Sequence, residues 1–245
     1  MSPDRPLRVG LLGAGTVGRE VARAFADFPD RLVVHGGARL ELVGVAVRDV
    51  ARARAAGIAA DLLTDAPAHL VASSDTDVVV EVMGGDEPAR TLIAAALGAG
   101  KPVVTANKHV IAHHGPELEA IARRTGAALR FEAAVAAGIP VLGPLAAELA
   151  ADRVSRVRGI VNGTTNYILS AMAEEGRAYA EVLAAAQAAG YAEADPSVDV
   201  EGDDAVNKLV ILIRLAFGTW VDPAEVVRRP PTSEQGGHAR SGITG

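Results

Sequence analysis

The chain has 245 residues, 49% of them hydrophobic and 22% charged, with a formal net charge of -6. That length allows one large or two small domains with a sizeable core, and the composition is globular rather than disordered. The acidic balance leaves no basic footprint, so nucleic acid is not an expected partner, and the absence of cysteine excludes disulfides, thiolate nucleophiles and zinc-cysteine sites.

The chain opens MSPDRPLRVG, without a charged segment leading into an apolar one, and no apolar run reaches the length of a membrane span. Neither export nor membrane insertion is expected, and with no cysteine a cytoplasmic setting is the simplest assumption. Leu7 to Leu12 reads as a buried strand running into Gly13-Ala14-Gly15-Thr16-Val17-Gly18, followed by a helical pattern of Val17, Val21, Ala24, Phe25 and Phe28. Strand, glycine turn and helix in that order point to a dinucleotide. Gly13 permits the turn, Gly15 lets a pyrophosphate approach the backbone, and Gly18 lets the helix pack closely. The free amides at the helix start, those of Thr16, Val17 and Gly18, would hold the phosphates.

The next strand, Glu41 to Val47, ends in Arg48-Asp49. Arg48 at the tip is suited to a 2′-phosphate, which favours NADP, while Asp49 one position on keeps NAD open. Asp77 to Val82 reads as a buried strand in which four valines flank a single acid, Glu81, with Met83-Gly84-Gly85 at its C-terminal end, where open α/β sheets bind ligands. An Ala-rich helix over Glu87 to Ala99 and a strand over Lys101 to Thr105 follow, and then Ala106-Asn107-Lys108. Lys108, just beyond a strand end, is either a cofactor or substrate contact or a surface cation beside a helix start. Glu117 to Arg124 is a further helix and Ala127 to Phe131 a further strand, so strands and helices alternate as in a parallel sheet with crossovers.

After Phe131 the pattern changes. Glu132 to Pro140 is an apolar connection with one acid, able to ligate a hard cation through oxygens or simply to pack, and it leads into a helix from about Val141 to Ala150. Val154 to Val161 reads as a strand by its alternation, ending in Asn162-Gly163-Thr164-Thr165-Asn166, a turn that caps a helix over Tyr167 to Glu174. A second helix, Ala180 to Ala189, stops at Gly190. It delivers YAEADPSVDVEGDDAVNKL, in which Asp204 and Lys208 share a helix face that continues through Ile211, Leu212 and Leu215. Asp203, Asn207 and Arg214 fall on a more polar row. Asp204 and Lys208 are either an ordinary ion pair of the first turn or a lysine kept for use.

Together these segments closely resemble the homoserine dehydrogenase family. The resemblance rests on GLLGAGTVG at 10–18, VVVEVMGG at 78–85, TANKHVIA at 105–112, FEAAVAAGIPVL at 131–142 and GIVNGTTNYIL at 159–169, with Glu193, Asp204 and Lys208 beyond them. They stand in family order and extend to about residue 226. The resemblance implies an NAD(P)-dependent oxidoreductase that interconverts L-homoserine and L-aspartate 4-semialdehyde in threonine, methionine and isoleucine biosynthesis. By that resemblance Lys208 is the acid/base, Asp204 orients it, Glu193 binds the substrate amino group, and Lys108 contacts nicotinamide ribose and substrate. Glu132, with the backbone carbonyls of Val135, Ala137 and Ile139, corresponds to the family's monovalent-cation site, usually sodium.

The fold class so implied is α/β. A Rossmann-type doubly wound parallel sheet over 1–131 precedes an incomplete α+β substrate and dimerisation domain over 132–226, through which the family forms homodimers. Residues 227–245, rich in proline, glycine and polar residues, read as a disordered tail. Family members are longer, and many carry a regulatory ACT domain for which this chain has no room. The chain therefore reads as a truncated family member. Two alternatives stand beside it: a catalytically incomplete NADP-binding fragment, and another amino-acid-pathway dehydrogenase sharing the cofactor domain.

Overall fold

The structure is a computed structural model that describes residues 5–33, 38–193 and 195–228, and the chain divides into two compact units, Met1–Ala134 and Val135–Gly245. In the first unit β1 (Leu7–Leu12), α1 (Thr16–Asp27), β2 (Leu40–Ala46), α2 (Val50–Ala55), β3 (Leu63–Thr64) and α3 (Pro67–Ala72) form the first half. The second half comprises β4 (Val78–Glu81), α4 (Ala89–Gly98), β5 (Val103–Thr105), α5 (Lys108–Thr125) and β6 (Leu129–Arg130). All strand pairs are parallel and the order is β3-β2-β1-β4-β5-β6, the arrangement in which strand order reverses between β1 and β4. That reversal opens a crevice at the C-terminal strand ends, where such sheets take their ligands.

The sheet holds because apolar strands are covered on both faces. Leu11 and Val45 pack with Ala22, Ala53 and Ile58, while Ile93, Leu97, Ile111 and Leu118 of α4 and α5 are wholly buried. α1 comes close enough to β1 to leave no room for a side chain at Gly18, where a Cβ would lie 2.1 Å from the Gly13 carbonyl oxygen. At the opposite end of the sheet the Arg8 side chain and amide and the Arg5 guanidinium converge on Asp77. Burial alone would raise the Asp77 carboxyl, but these donors outweigh it and hold the group at about 2.

α5 begins at Lys108, earlier than the helix expected from Glu117. Asn107 caps it by accepting from the Val110 amide at 3.1 Å, and the helix continues through Pro116, which has no backbone N–H to donate and whose ring crowds the carbonyl one turn earlier.

The second unit contains α6 (Leu142–Ala146), α7 (Gly163–Glu175), α8 (Tyr179–Ala188), α9 (Ser197–Val200) and α10 (Asp203–Phe217). α7 and α8 pair through Ile168, Ala171, Val182 and Ala186. The strand expected over Val154 to Val161 does not form, and the described residues of this unit contain helices and no strand. Alternation alone does not make a strand; a ladder needs a partner, and no described segment supplies one. Ile160 in that stretch is 77% exposed. α7 starts at Gly163 rather than Tyr167, because Asn162 accepts from the Thr165 amide and so closes the first turn there. Most of the expected tail, residues 229–245, lies outside the described residues.

Two outcomes follow from the packing of the first unit. Gly18→Ala should destabilise it by about 1–3 kcal/mol, read as a lowered urea midpoint, since neither the Gly13 backbone nor α1 can yield without loss of packing. Asp77, whose folded pKa lies below its ordinary 3.8, contributes stability above that value and loses it as pH falls toward about 2. Asp77→Asn should therefore cost about 1–2 kcal/mol near neutral pH, and the gap to the parent should narrow below about pH 4; a constant gap would contradict the assignment.

Candidate active site

In the first unit the backbone after β1 makes a tight glycine turn into α1. Gly13 adopts a φ of +97°, and its amide donates to the Ala46 carbonyl at 2.9 Å, fixing the turn against β2. The first hydrogen bond inside α1 runs from the Arg19 amide to Gly15 O at 3.0 Å, and no side chain caps this end. The Thr16, Val17 and Gly18 amides therefore have no acceptor inside the helix, and a Cβ at Gly15 would meet nothing within 4 Å. Such an end accepts an anion.

At the tip of β2 the two candidate ribose readers separate. Asp49 accepts from the Arg52 amide at 2.8 Å and caps α2, whereas Arg48 is exposed. At the tip of β4, Gly84 and Gly85 both have left-handed φ values, +73° and +72°, and lie exposed before α4. Lys108, half-buried, opens α5 directly after the β5 tip.

The second unit gathers a polar cluster at the start of α10. Lys208 donates to Asp204 Oδ2 at 2.7 Å and to the Val161 carbonyl at 2.6 Å. Their side chains are 18% and 6% exposed. This is a tight, largely desolvated pair rather than a surface one, for which a median value near zero would be expected. The same Asp204 oxygen also accepts from Asn162 Nδ2 at 2.8 Å, and that amide reaches Asp199 Oδ1 at 2.7 Å. The orientation of the Asn162 amide is set from behind, where Oδ1 accepts from both the amide and the hydroxyl of Thr165, each at 2.8 Å. Asn162 and Thr165, which the sequence alone presented only as turn and cap, and Asp199, which it did not single out, are thus members of the cluster.

Asn207 is also corrected. Placed on the polar row by helical spacing, it is buried along with Val206, Val210 and Ile211, because α10 packs against both α6 and α9 and so buries more than one row. Asp203 on that row does face outward, paired with Arg228. Glu193 lies exposed on the turn after α8, its carbonyl accepting from Gln187 Nε2 at 3.1 Å. Its carboxylate stands outside the hydrogen-bonded cluster among the described residues.

The four expected cation ligands divide across the unit boundary. Glu132 begins a short 3-10 turn at the end of the first unit, and Val135, Ala137 and Ile139 belong to the second. Ala136 and Ala137 take consecutive left-handed φ values of 62° and 50°. Residues with a Cβ seldom adopt that conformation, and the cost of roughly 1–2 kcal/mol each marks this curve as one the surrounding structure imposes. Among the described residues no group of three or more histidine or acidic side chains is placed to hold a metal, so any cation here would depend on carbonyls.

Comparison with known proteins agrees with this geometry. Residues 13–132 match the family model of the homoserine dehydrogenase NAD binding domain, and residues 140–234 match the homoserine dehydrogenase model. Homoserine dehydrogenase of Corynebacterium glutamicum is 49% identical over 91% of this chain and 50% of its own length. The crystal structure of a homoserine dehydrogenase from Thiobacillus denitrificans superposes with a TM-score of 0.79 at 46% identity, covering 88% of this chain and 50% of that one. A hyperthermophilic archaeal homoserine dehydrogenase in complex with NADPH gives 0.76 at 29% identity, covering 88% and 71%. The chain spans about half the length of the curated relatives it matches. With both family models matched in order and a six-stranded sheet of the required topology beneath them, the chain belongs to the homoserine dehydrogenase family.

Proposed function

We propose that this chain carries homoserine dehydrogenase chemistry, the NADP-dependent interconversion of L-homoserine and L-aspartate 4-semialdehyde. The observation that carries the reading is the setting of Lys208. An ammonium has three N–H donors, and two of them are directed to Asp204 and to the Val161 carbonyl. One remains for an incoming oxygen. The nicotinamide, when bound, supplies or accepts the hydride at its C4. As hydride reaches the aldehyde carbon, Lys208 Nζ gives a proton to the developing alkoxide; in the oxidation it takes the hydroxyl proton back. Asp204 holds the ammonium in place, Asn162 secures Asp204, and Glu193 pairs with the substrate's amino group.

Gly13, Gly15, Thr16, Val17, Gly18 and Gly84 would hold the cofactor through their backbone, and Lys108 would serve its nicotinamide side. Arg48 reads the 2′-phosphate, a preference supported by Asp49 being occupied as a helix cap. Glu132 and the carbonyls of Val135, Ala137 and Ile139 take a monovalent cation, for which one carboxylate among neutral carbonyls is a suitable donor set. The enzyme works as a cytoplasmic homodimer in threonine and methionine biosynthesis.

Two measurements test this. The purified chain should oxidise NADPH in the presence of L-aspartate 4-semialdehyde. Lys208→Ala should lower turnover by at least about 10²-fold while binding NADPH as the parent does. A fully active Lys208→Ala would remove the acid/base role. A parent that binds NADPH but never turns over would favour the non-catalytic cofactor-binding alternative. Arg48→Ala should weaken NADPH by about tenfold and leave NADH nearly unchanged; equal losses would make Arg48 a surface charge.

A further inference from the structure

Glu81, the acid that closes β4, is fully buried, and the hydride transfer above does not employ it. A carboxylate taken from water costs several kcal/mol unless its oxygens are matched. Both are. Oε1 accepts from the Met83 amide at 2.7 Å and Oε2 from the Thr105 hydroxyl at 2.5 Å. The direction of that hydroxyl is fixed, since its oxygen accepts the Asn107 amide at 2.9 Å and its hydrogen is left for Glu81. Asn107 then reaches back across the crevice end of the sheet, where Nδ2 donates to the Gly85 carbonyl at 2.8 Å while Oδ1 caps α5.

The result is a closed ring through the end of β4, the turn Met83–Gly85 and the start of α5. Two consecutive glycines with positive φ have much conformational freedom to lose, and the bond from Asn107 to Gly85 O ties that turn to the sheet. Lys108 follows Asn107 directly, so the same ring sets where that side chain leaves the backbone.

We infer that Glu81, Thr105 and Asn107 are positioning residues for the nicotinamide-ribose half of the dinucleotide. They hold the Gly84–Gly85 backbone and Lys108 ready for it, independently of the turn from Gly13 to Gly18, which serves the pyrophosphate, and of Arg48, which serves the adenosine half. The inference rests on the cofactor reading above. It needs no turnover to be tested.

The test is calorimetric titration of the full chain with NADPH and with adenosine 2′,5′-bisphosphate, which lacks the nicotinamide and its ribose. Asn107→Ser keeps a helix-capping oxygen but is too short for Gly85, Thr105→Val removes the hydroxyl at nearly equal volume, and Thr105→Ser restores it. Asn107→Ser and Thr105→Val should raise the Kd for NADPH by about tenfold, the equivalent of one lost hydrogen bond, and leave the truncated ligand within about twofold. Thr105→Ser should bind both ligands as the parent does. Unchanged NADPH binding in the two variants, or equal weakening of both ligands, overturns the inference while leaving the cofactor reading intact. A parent chain that binds neither ligand overturns both. Should Thr105→Val fail to fold, Asn107→Ser alone decides the matter by the same comparison.

Discussion

A carboxylate withdrawn from water has to be answered donor for donor, and each unit of this chain is organised around one that is. In the first, Glu81 is satisfied by a backbone amide and a hydroxyl; in the second, Asp204 is satisfied by an ammonium and a side-chain amide. Neutral donors fix geometry without carrying a transferable charge, so Glu81 ties the end of β4 to the Met83 amide and the Thr105 hydroxyl. The ammonium beside Asp204 retains an unassigned N–H and a proton to give, so that pair is suited to chemistry.

The surroundings of each acid supply its partners from separate parts of the chain. Asp204 takes Lys208 from one turn along its own helix and Asn162 from 42 residues earlier. Asn162 also touches Asp199, so a single amide group separates two acids that would otherwise repel across the same space. Thr165 makes that arrangement definite, because with Oδ1 engaged twice the amide cannot turn over without losing both bonds.

What the sequence disclosed, and what it withheld, follows from the range of the interactions concerned. The turn from Gly13 to Gly18 was legible because each glycine answers a local need, a positive φ at Gly13 and a contact with its own turn at Gly18. The pairing of Asp204 with Lys208 was legible because four residues along a helix is one turn. The capping role of Asn162 is local, but its bonds to Asp199 and Asp204 span 37 and 42 residues and leave no local pattern. Glu81 was visible as a lone acid among valines, yet its Thr105 partner stands 24 residues away. The stretch from Val154 to Val161 shows the converse error. Its alternation was local and clear, and the pairing that would make it a strand is not a local property.

If Lys208 meets the reacting oxygen, a crystal structure of the chain with NADP and L-homoserine should place the substrate's 4-hydroxyl oxygen within about 2.7–3.2 Å of Lys208 Nζ, with the Asp204 contact retained. A hydroxyl held by another side chain, with Lys208 still directed only to Asp204 and Val161, would contradict it.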